Sequence, residues 1–220
     1  MKDLWKYQNP YRDDKVIEAC GLFGMMDTSG KRFSGLDTIN AIANMHDRSN
    51  GLGGGFAAYG IYPEYANSYC FHIMYLTREC RNAVENFLEQ NFRVLAHEEV
   101  PTRKTAAIIN PPLLWRYFVD VTDTDITGLA EEDYVVDRVM NINTCFDDAF
   151  VFSSGKNMGV FKGVGYPEEI AEYFRLDEYK GYLWTSHGRF PTNTPGWWGG
   201  AHPFSILDWT VVHNGEISSY

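Results

Sequence analysis

Ala19-Cys20-Gly21-Leu22-Phe23-Gly24 near one end of the chain and His213-Asn214-Gly215-Glu216-Ile217 near the other decide how the rest is read. A cysteine followed by Gly-x-Phe-Gly behind a short polar stretch is suited to become a new N-terminus. Its thiol would then be a nucleophile, and its freed α-amine, which titrates at about 7.7–8.0, a base on the same residue. An internal Cys20 lacks that base, because its nitrogen is an amide; the mechanism therefore requires cleavage of the Ala19–Cys20 bond. At the other end, the Asn214 side-chain amide and the Gly215 backbone N–H are able to converge on one oxygen as an oxyanion hole. The pairing points to hydrolysis of an amide, with ammonia as the useful product. Taken singly, each piece has a plainer reading: a cysteine in an apolar strand is more often core, and Asn-Gly is a common turn.

Working outward, the 220 residues suffice for one core, or one domain with a large insertion. A formal net charge of −10 with no basic block argues against nucleic acid or an anionic membrane as partner. No apolar run approaches the roughly 20 residues of a spanning helix. The segment 1–19 carries Lys2, Lys6 and Lys15 but no apolar stretch, so it reads as a leader rather than a secretion signal. Cys20, Cys70, Cys80 and Cys145 form neither CxxC pairs nor a disulfide framework, and the last three read as buried small hydrophobes. A reducing cytoplasm fits this usage.

The pattern predicts an α+β fold. Residues 20–26 read as a buried strand. Ser34 is placed to cap a helix over 34–44, and the glycine cluster 51–55 reads as a turn before a strand at 56–61. Residues 67–154 read as an insertion with strands at 69–75, 93–100, 114–121 and 149–153 and helices at 79–92 and 131–145, the order of a split βαβ, ferredoxin-like unit. Ala83, Phe87 and Leu88 mark the inner face of its first helix, and Val135, Val139, Met140 and Ile142 that of its second. A hairpin turn at 154–157 leads into a strand at 158–162, a helix opens at Pro167, and strands at 183–186 and 209–212 flank a Pro/Gly/Trp-rich loop.

His187-Gly188-Arg189-Phe190-Pro191-Thr192-Asn193-Thr194 is a further constellation. An arginine at a strand end suits bidentate binding of an α-carboxylate, with Thr192 adding a hydroxyl; by itself it reads equally well as a surface ion pair. These pieces, in this order, resemble the class II glutamine amidotransferase domain, an N-terminal-nucleophile hydrolase. The run Met158-Gly159-Val160-Phe161-Lys162-Gly163-Val164-Gly165, then HGRFPTNTPG, Ala201-His202-Pro203-Phe204 and HNGEISSY, is most similar to the amidotransferase domain of glutamate synthase. The resemblance covers residues 20–56 and 155–220; the stretch between is less diagnostic.

The resemblance implies a four-layer αββα fold over 20–220, with Cys20 as nucleophile and, once exposed, its amine as base. It implies that Asn214 and Gly215 form the oxyanion hole, that Arg189 holds the glutamine α-carboxylate with Thr192 beside it, and that Phe190 lies against the substrate. Arg48 supports the site from the loop after the first helix. His202 is a supporting or turn residue, and Asn193 stands where some relatives have a histidine. The family continues past the point where this chain stops, with several strands and an aspartate for the substrate α-amine, so the fold is expected to be incomplete at its C-terminal side. Ammonia would pass to a synthase domain or subunit in a hetero-oligomer. Flavin and iron–sulfur groups belong to those partners: this chain has no GxGxxG after a strand and no cysteine array, and its histidines lack metal-ligand spacing. Other readings are an amidotransferase subunit for another acceptor, such as N-methylglutamate synthesis, or a silent docking or regulatory subunit.

Overall fold

The computed structural model describes residues 20–122, 128, 130–190 and 195–215. It is a mixed α/β structure whose strand pairs are all antiparallel. Four strands, β1 (Gly21–Met26), β3 (Gly54–Tyr59), β8 (Met158–Gly163) and β10 (Leu183–Gly188), form one sheet in the order β1-β10-β3-β8. Another four, β4 (Tyr69–Tyr75), β5 (Arg93–Glu99), β6 (Leu113–Asp120) and β7 (Ala149–Ser153), pair in the order β5-β6-β4-β7. Short pairs join β2 (Phe33–Ser34) to β9 (Lys180–Gly181) and β11 (Phe204–Ile206) to β12 (Trp209–Val211). The helices are α1 (Leu36–Ala43), α2 (Arg78–Asn91), α3 (Glu131–Cys145) and α4 (Pro167–Tyr173).

The β5-β6-β4-β7 sheet, with α2 and α3 connecting its strands, has the order of a split βαβ unit. Alternation along β4 shows why it folds so. Tyr69, Phe71, Ile73 and Tyr75 pack with Val84 and Leu88 of α2 and with Val135, Val139 and Ile142 of α3. Cys70 and Met74, on the other face, join the core of the first sheet with Phe56, Val160 and Phe161. Thr77 starts α2 by accepting the Cys80 N–H at 3.2 Å.

A buried polar hub ties the two sheets. His72, fully buried, donates from Nδ1 to the Val160 carbonyl at 2.8 Å and accepts at Nε2 from the Tyr62 hydroxyl at 2.9 Å. Arg116 donates to Tyr62 and Tyr179 and is itself paired with Glu98. Burial pulls the His72 pKa down to about 3, so its imidazole is neutral.

Alternation also sorts the first sheet. Gly54 and Gly188 face Pro167 at the start of α4, and Trp184 faces Gly35 before α1. On the opposite face Tyr59 donates to the Asp208 carbonyl at 2.9 Å and Lys162 reaches Pro203, so the β11–β12 hairpin covers that side.

Several expectations change. β1 is an edge strand, with Leu22, Met25 and Met26 exposed, rather than a buried one. Val84 takes the buried place on α2 expected of Ala83, which is exposed, and Met140 is exposed on α3. Cys145 is exposed and Cys80 partly so; of the three only Cys70 is buried. Gly54 and Gly55 belong to β3, not to the turn before it. The turn at 154–157 carries the chain from one sheet to the other, since β7 and β8 do not pair. Gly35 rather than Ser34 occupies the cap of α1, although the Ser34 hydroxyl still accepts the Leu36 N–H at 3.2 Å.

Candidate active site

The end of the β1-β10-β3-β8 sheet is built from glycine. Gly21 pairs with Gly188, Gly188 with Gly54 and Gly54 with Gly163, one row across the sheet. A Cβ on Gly54 would lie 2.8 Å from the Pro167 nitrogen, and one on Gly188 2.9 Å from Pro167 Cγ. The missing side chains let the start of α4 sit directly on the sheet end. Cys20 and Arg189 are the next residues outward from that row, immediately before β1 and immediately after β10.

Cys20 is half-buried, and its Sγ accepts the Phe190 N–H at 3.4 Å. Arg189 is fixed by its backbone: its N–H donates to the Gly53 carbonyl at 2.8 Å, while its carbonyl accepts from Asn50 N–H and the Ser49 hydroxyl. Its side chain runs over Gly53, where a Cβ would meet Arg189 Cδ at 3.1 Å. Cys20, Phe190 and Arg189 thus meet at one place. Arg48 lies behind Gly21: a Cβ there would be 3.6 Å from Arg48 Cβ. The loop that carries Arg48 is pinned by His46, whose ring stacks on Tyr166 at 4.1 Å and whose Nδ1 contacts Glu168. The hydrogen bond to the Glu168 carboxylate raises the His46 pKa.

His187 and His202, their rings stacked at 4.3 Å, connect this end to the segment after β12. His187 Nε2 donates to the His213 carbonyl at 2.9 Å, and His202 Nδ1 accepts the His213 N–H at 3.2 Å. Burial lowers the pKa of His187 to about 4 and that of His202 to about 3. Both rings are therefore neutral near pH 7, and for His202 the acceptor role of Nδ1 requires it. Asn214 and Gly215 follow His213 and are exposed, with Gly215 at φ 153°. Thr192 and Asn193 lie outside the described residues. Sequence reasoning assigned no role to His187 or His213, although both stand inside the motifs it singled out. No group of three or more His, Cys, Asp or Glu suited to a metal occurs among the described residues, and no helix among them is long and apolar enough to cross a membrane.

The family model for class II glutamine amidotransferases matches residues 62–220. That span runs through the split βαβ unit and leaves Cys20 outside. An uncharacterized protein of Archaeoglobus fulgidus is 62% identical over 211 residues, covering 94% of this chain and 56% of that protein. A protein of Methanothermobacter thermautotrophicus named "Putative glutamine amidotransferase" is 27% identical over 206 residues, covering 91% of this chain and 62% of its own. "Glutamine amidotransferase-like protein GlxB" of Rhizobium meliloti is 31% identical over 74 residues, 33% of this chain and 25% of that protein. The chain thus spans less than two thirds of the length of each of these relatives.

Proposed function

The chain belongs to the class II glutamine amidotransferases, and we propose that it hydrolyses the side-chain amide of L-glutamine at the glycine-lined sheet end. The observation that carries this reading is the Phe190 N–H donated to Cys20 Sγ at 3.4 Å, with Arg189 as the adjoining residue. With residues 1–19 removed, the Cys20 amine takes the thiol proton and the thiolate attacks the amide carbon of glutamine. A C–S bond forms, and the carbonyl oxygen becomes an oxyanion held by the Asn214 amide and the Gly215 N–H. Collapse breaks the C–N bond. The Cys20 ammonium returns the proton, ammonia leaves, and water then hydrolyses the thioester to glutamate and free thiol.

Arg189 pairs with the substrate α-carboxylate through its planar fork, the Thr192 hydroxyl is assigned to substrate binding, and Phe190 lies against the substrate. Arg48, Asn193 and His202 support the site. Ammonia passes to a synthase domain or subunit of the glutamate synthase type. The resemblance of the motif run from 158 to 220 to that domain supports this choice of partner. The reading includes a four-layer fold. In its favour, helices cover one face of the first sheet and a hairpin the other, while Leu22, Met26, Trp209 and Val211 on the hairpin side remain exposed.

Intact mass and glutamine hydrolysis, measured together, test the reading. A chain beginning at Cys20 is expected to release ammonia from glutamine, and its Cys20→Ala variant is not. Equal activity in the two, or none in the chain beginning at Cys20, would overturn it.

A further inference from the structure

Lys162 is 2% exposed, and the glutamine chemistry above makes no use of it. Its Nζ donates to the Gly199 carbonyl at 2.9 Å and to the Pro203 carbonyl at 3.2 Å. It also stands 4.8 Å from the ring centroid of Phe204 and 5.7 Å from that of Phe150. No carboxylate pairs with it among the described residues. Burial alone pulls its pKa down to about 7. A buried amine without a counter-charge is costly, so a compensating role is expected.

Register shows what the amine is placed for. Leu22, His187, Gly55 and Lys162 form one row across β1, β10, β3 and β8, just inside the glycine row. Gly55 leaves a gap in it, and the His202 carbonyl enters that gap: a Cβ on Gly55 would lie 2.2 Å from the oxygen. His187 and Lys162 flank the gap. From one side His187 stacks on the His202 ring and donates to the His213 carbonyl. From the other, Lys162 ties the carbonyls of Gly199 and Pro203, which bracket His202 in the chain. His202 in turn accepts the His213 N–H. Both backbone groups of His213 are thereby held, one residue before Asn214.

We propose that Lys162 is a positioning residue for the oxyanion segment: it ties the 199–203 loop to β8, fixes His202, and through His202 fixes His213-Asn214-Gly215. The role of Lys162 in catalysis rests on the reading of Asn214 and Gly215 given above; the tether itself does not. An apolar side chain of equal length would fill the space and leave both carbonyls unpaired, so the loop would loosen without the core collapsing.

Lys162→Met tests this through kinetics and amide hydrogen exchange, both on the chain beginning at Cys20. A displacement of about 1 Å in catalytic groups costs up to roughly 100-fold in rate, so kcat is expected to fall roughly 10- to 100-fold. The KM for glutamine is expected to stay within about twofold, because ground-state binding does not use the oxyanion hole. Exchange is expected to quicken over 199–215 and to stay unchanged over α2 and β4. Unchanged kcat in an active enzyme, or unchanged exchange over 199–215, would overturn the proposal. Should the variant fail to fold, His202→Leu cuts the next link and must give the same kcat-selective loss and faster exchange over 211–215. Retention of wild-type kcat or exchange there would equally overturn it. The exchange readout needs no turnover: faster exchange in a protein whose parent is inactive supports the tether and removes the glutaminase reading instead.

Discussion

Compare β4 with the row of residues at the end of the β1-β10-β3-β8 sheet. β4 buries Tyr69, Phe71, Ile73 and Tyr75 against two helices, and each large side chain finds its partners on the neighbouring element. The other sheet ends in Gly21, Gly188, Gly54 and Gly163, and the next row offers Gly55 between a buried histidine and a buried lysine. The first region gains stability from apolar area, about 1.5–3 kcal/mol for each fully buried large side chain. The second gives up side chains so that backbone, loop and a cysteine approach closely, and it buries titratable groups that favour the unfolded state in acid. Stability and site geometry are thus carried by different parts of one chain.

Acid separates the two regions most strongly. His187 and His202 titrate well below 6.5 in the folded protein because burial penalises the imidazolium. Between pH 6.5 and about 4 the unfolded chain binds protons that the folded chain does not, so stability falls as pH falls through that window. The loss is at most about 1.4 kcal/mol per pH unit for each such histidine. Urea midpoints from pH 7 to 4.5 should fall steeply, with hydrogen exchange opening 187–213 before α2 and α3. A flat profile, or opening that begins in α2, would break the comparison.

Leu88→Ala attacks the other region. Leu88 is fully buried between α2 and β4, and the change should remove about 2–5 kcal/mol of unfolding free energy. Ammonia release per folded molecule should remain unchanged; a matching loss of kcat would show that the two regions do not divide the work.

Asn214→Ala should do the reverse. With Asn214 exposed, denaturant midpoints should barely move, while kcat falls on the order of 10²-fold, as for one lost oxyanion donor. A near-normal kcat would place the hole elsewhere. Arg189→Lys is the mildest of the set. It keeps the charge but loses the planar fork, so KM for glutamine should rise roughly tenfold at similar kcat. An unchanged KM would remove Arg189 from the substrate.

The two regions also differ in how far the sequence discloses them. The strands and helices of residues 67–154 are legible because alternating and helical periods recur over six elements, each long enough to show its pattern. The faces of the helices are less so: Val84 displaces Ala83 because the larger side chain takes the buried position. β1 reads as buried from Leu22, Phe23, Met25 and Met26, yet edge position in the sheet is a property of topology rather than of the strand's own residues. β2, β9 and β11 are too short to carry a period. At the sheet end, Cys20, Arg189 and Phe190 stand out by residue type and motif. The glycine row does not, since Gly21, Gly54, Gly163 and Gly188 align only once strands far apart in sequence are in register. Lys162 reads as an ordinary lysine in VFKGVG until the carbonyls of Gly199 and Pro203 are found around it.

The most direct measurement is covalent labelling of the chain beginning at Cys20 with a glutamine analogue bearing an electrophilic diazoketone, mapped by peptide mass spectrometry. Cys145 is exposed and Cys80 partly so, and both serve as internal controls for general thiol reactivity. The account predicts one adduct per chain, on Cys20, with labelling slowed by L-glutamine. Equal labelling of Cys145 and Cys20, or labelling of Cys20 that glutamine does not slow, would contradict it.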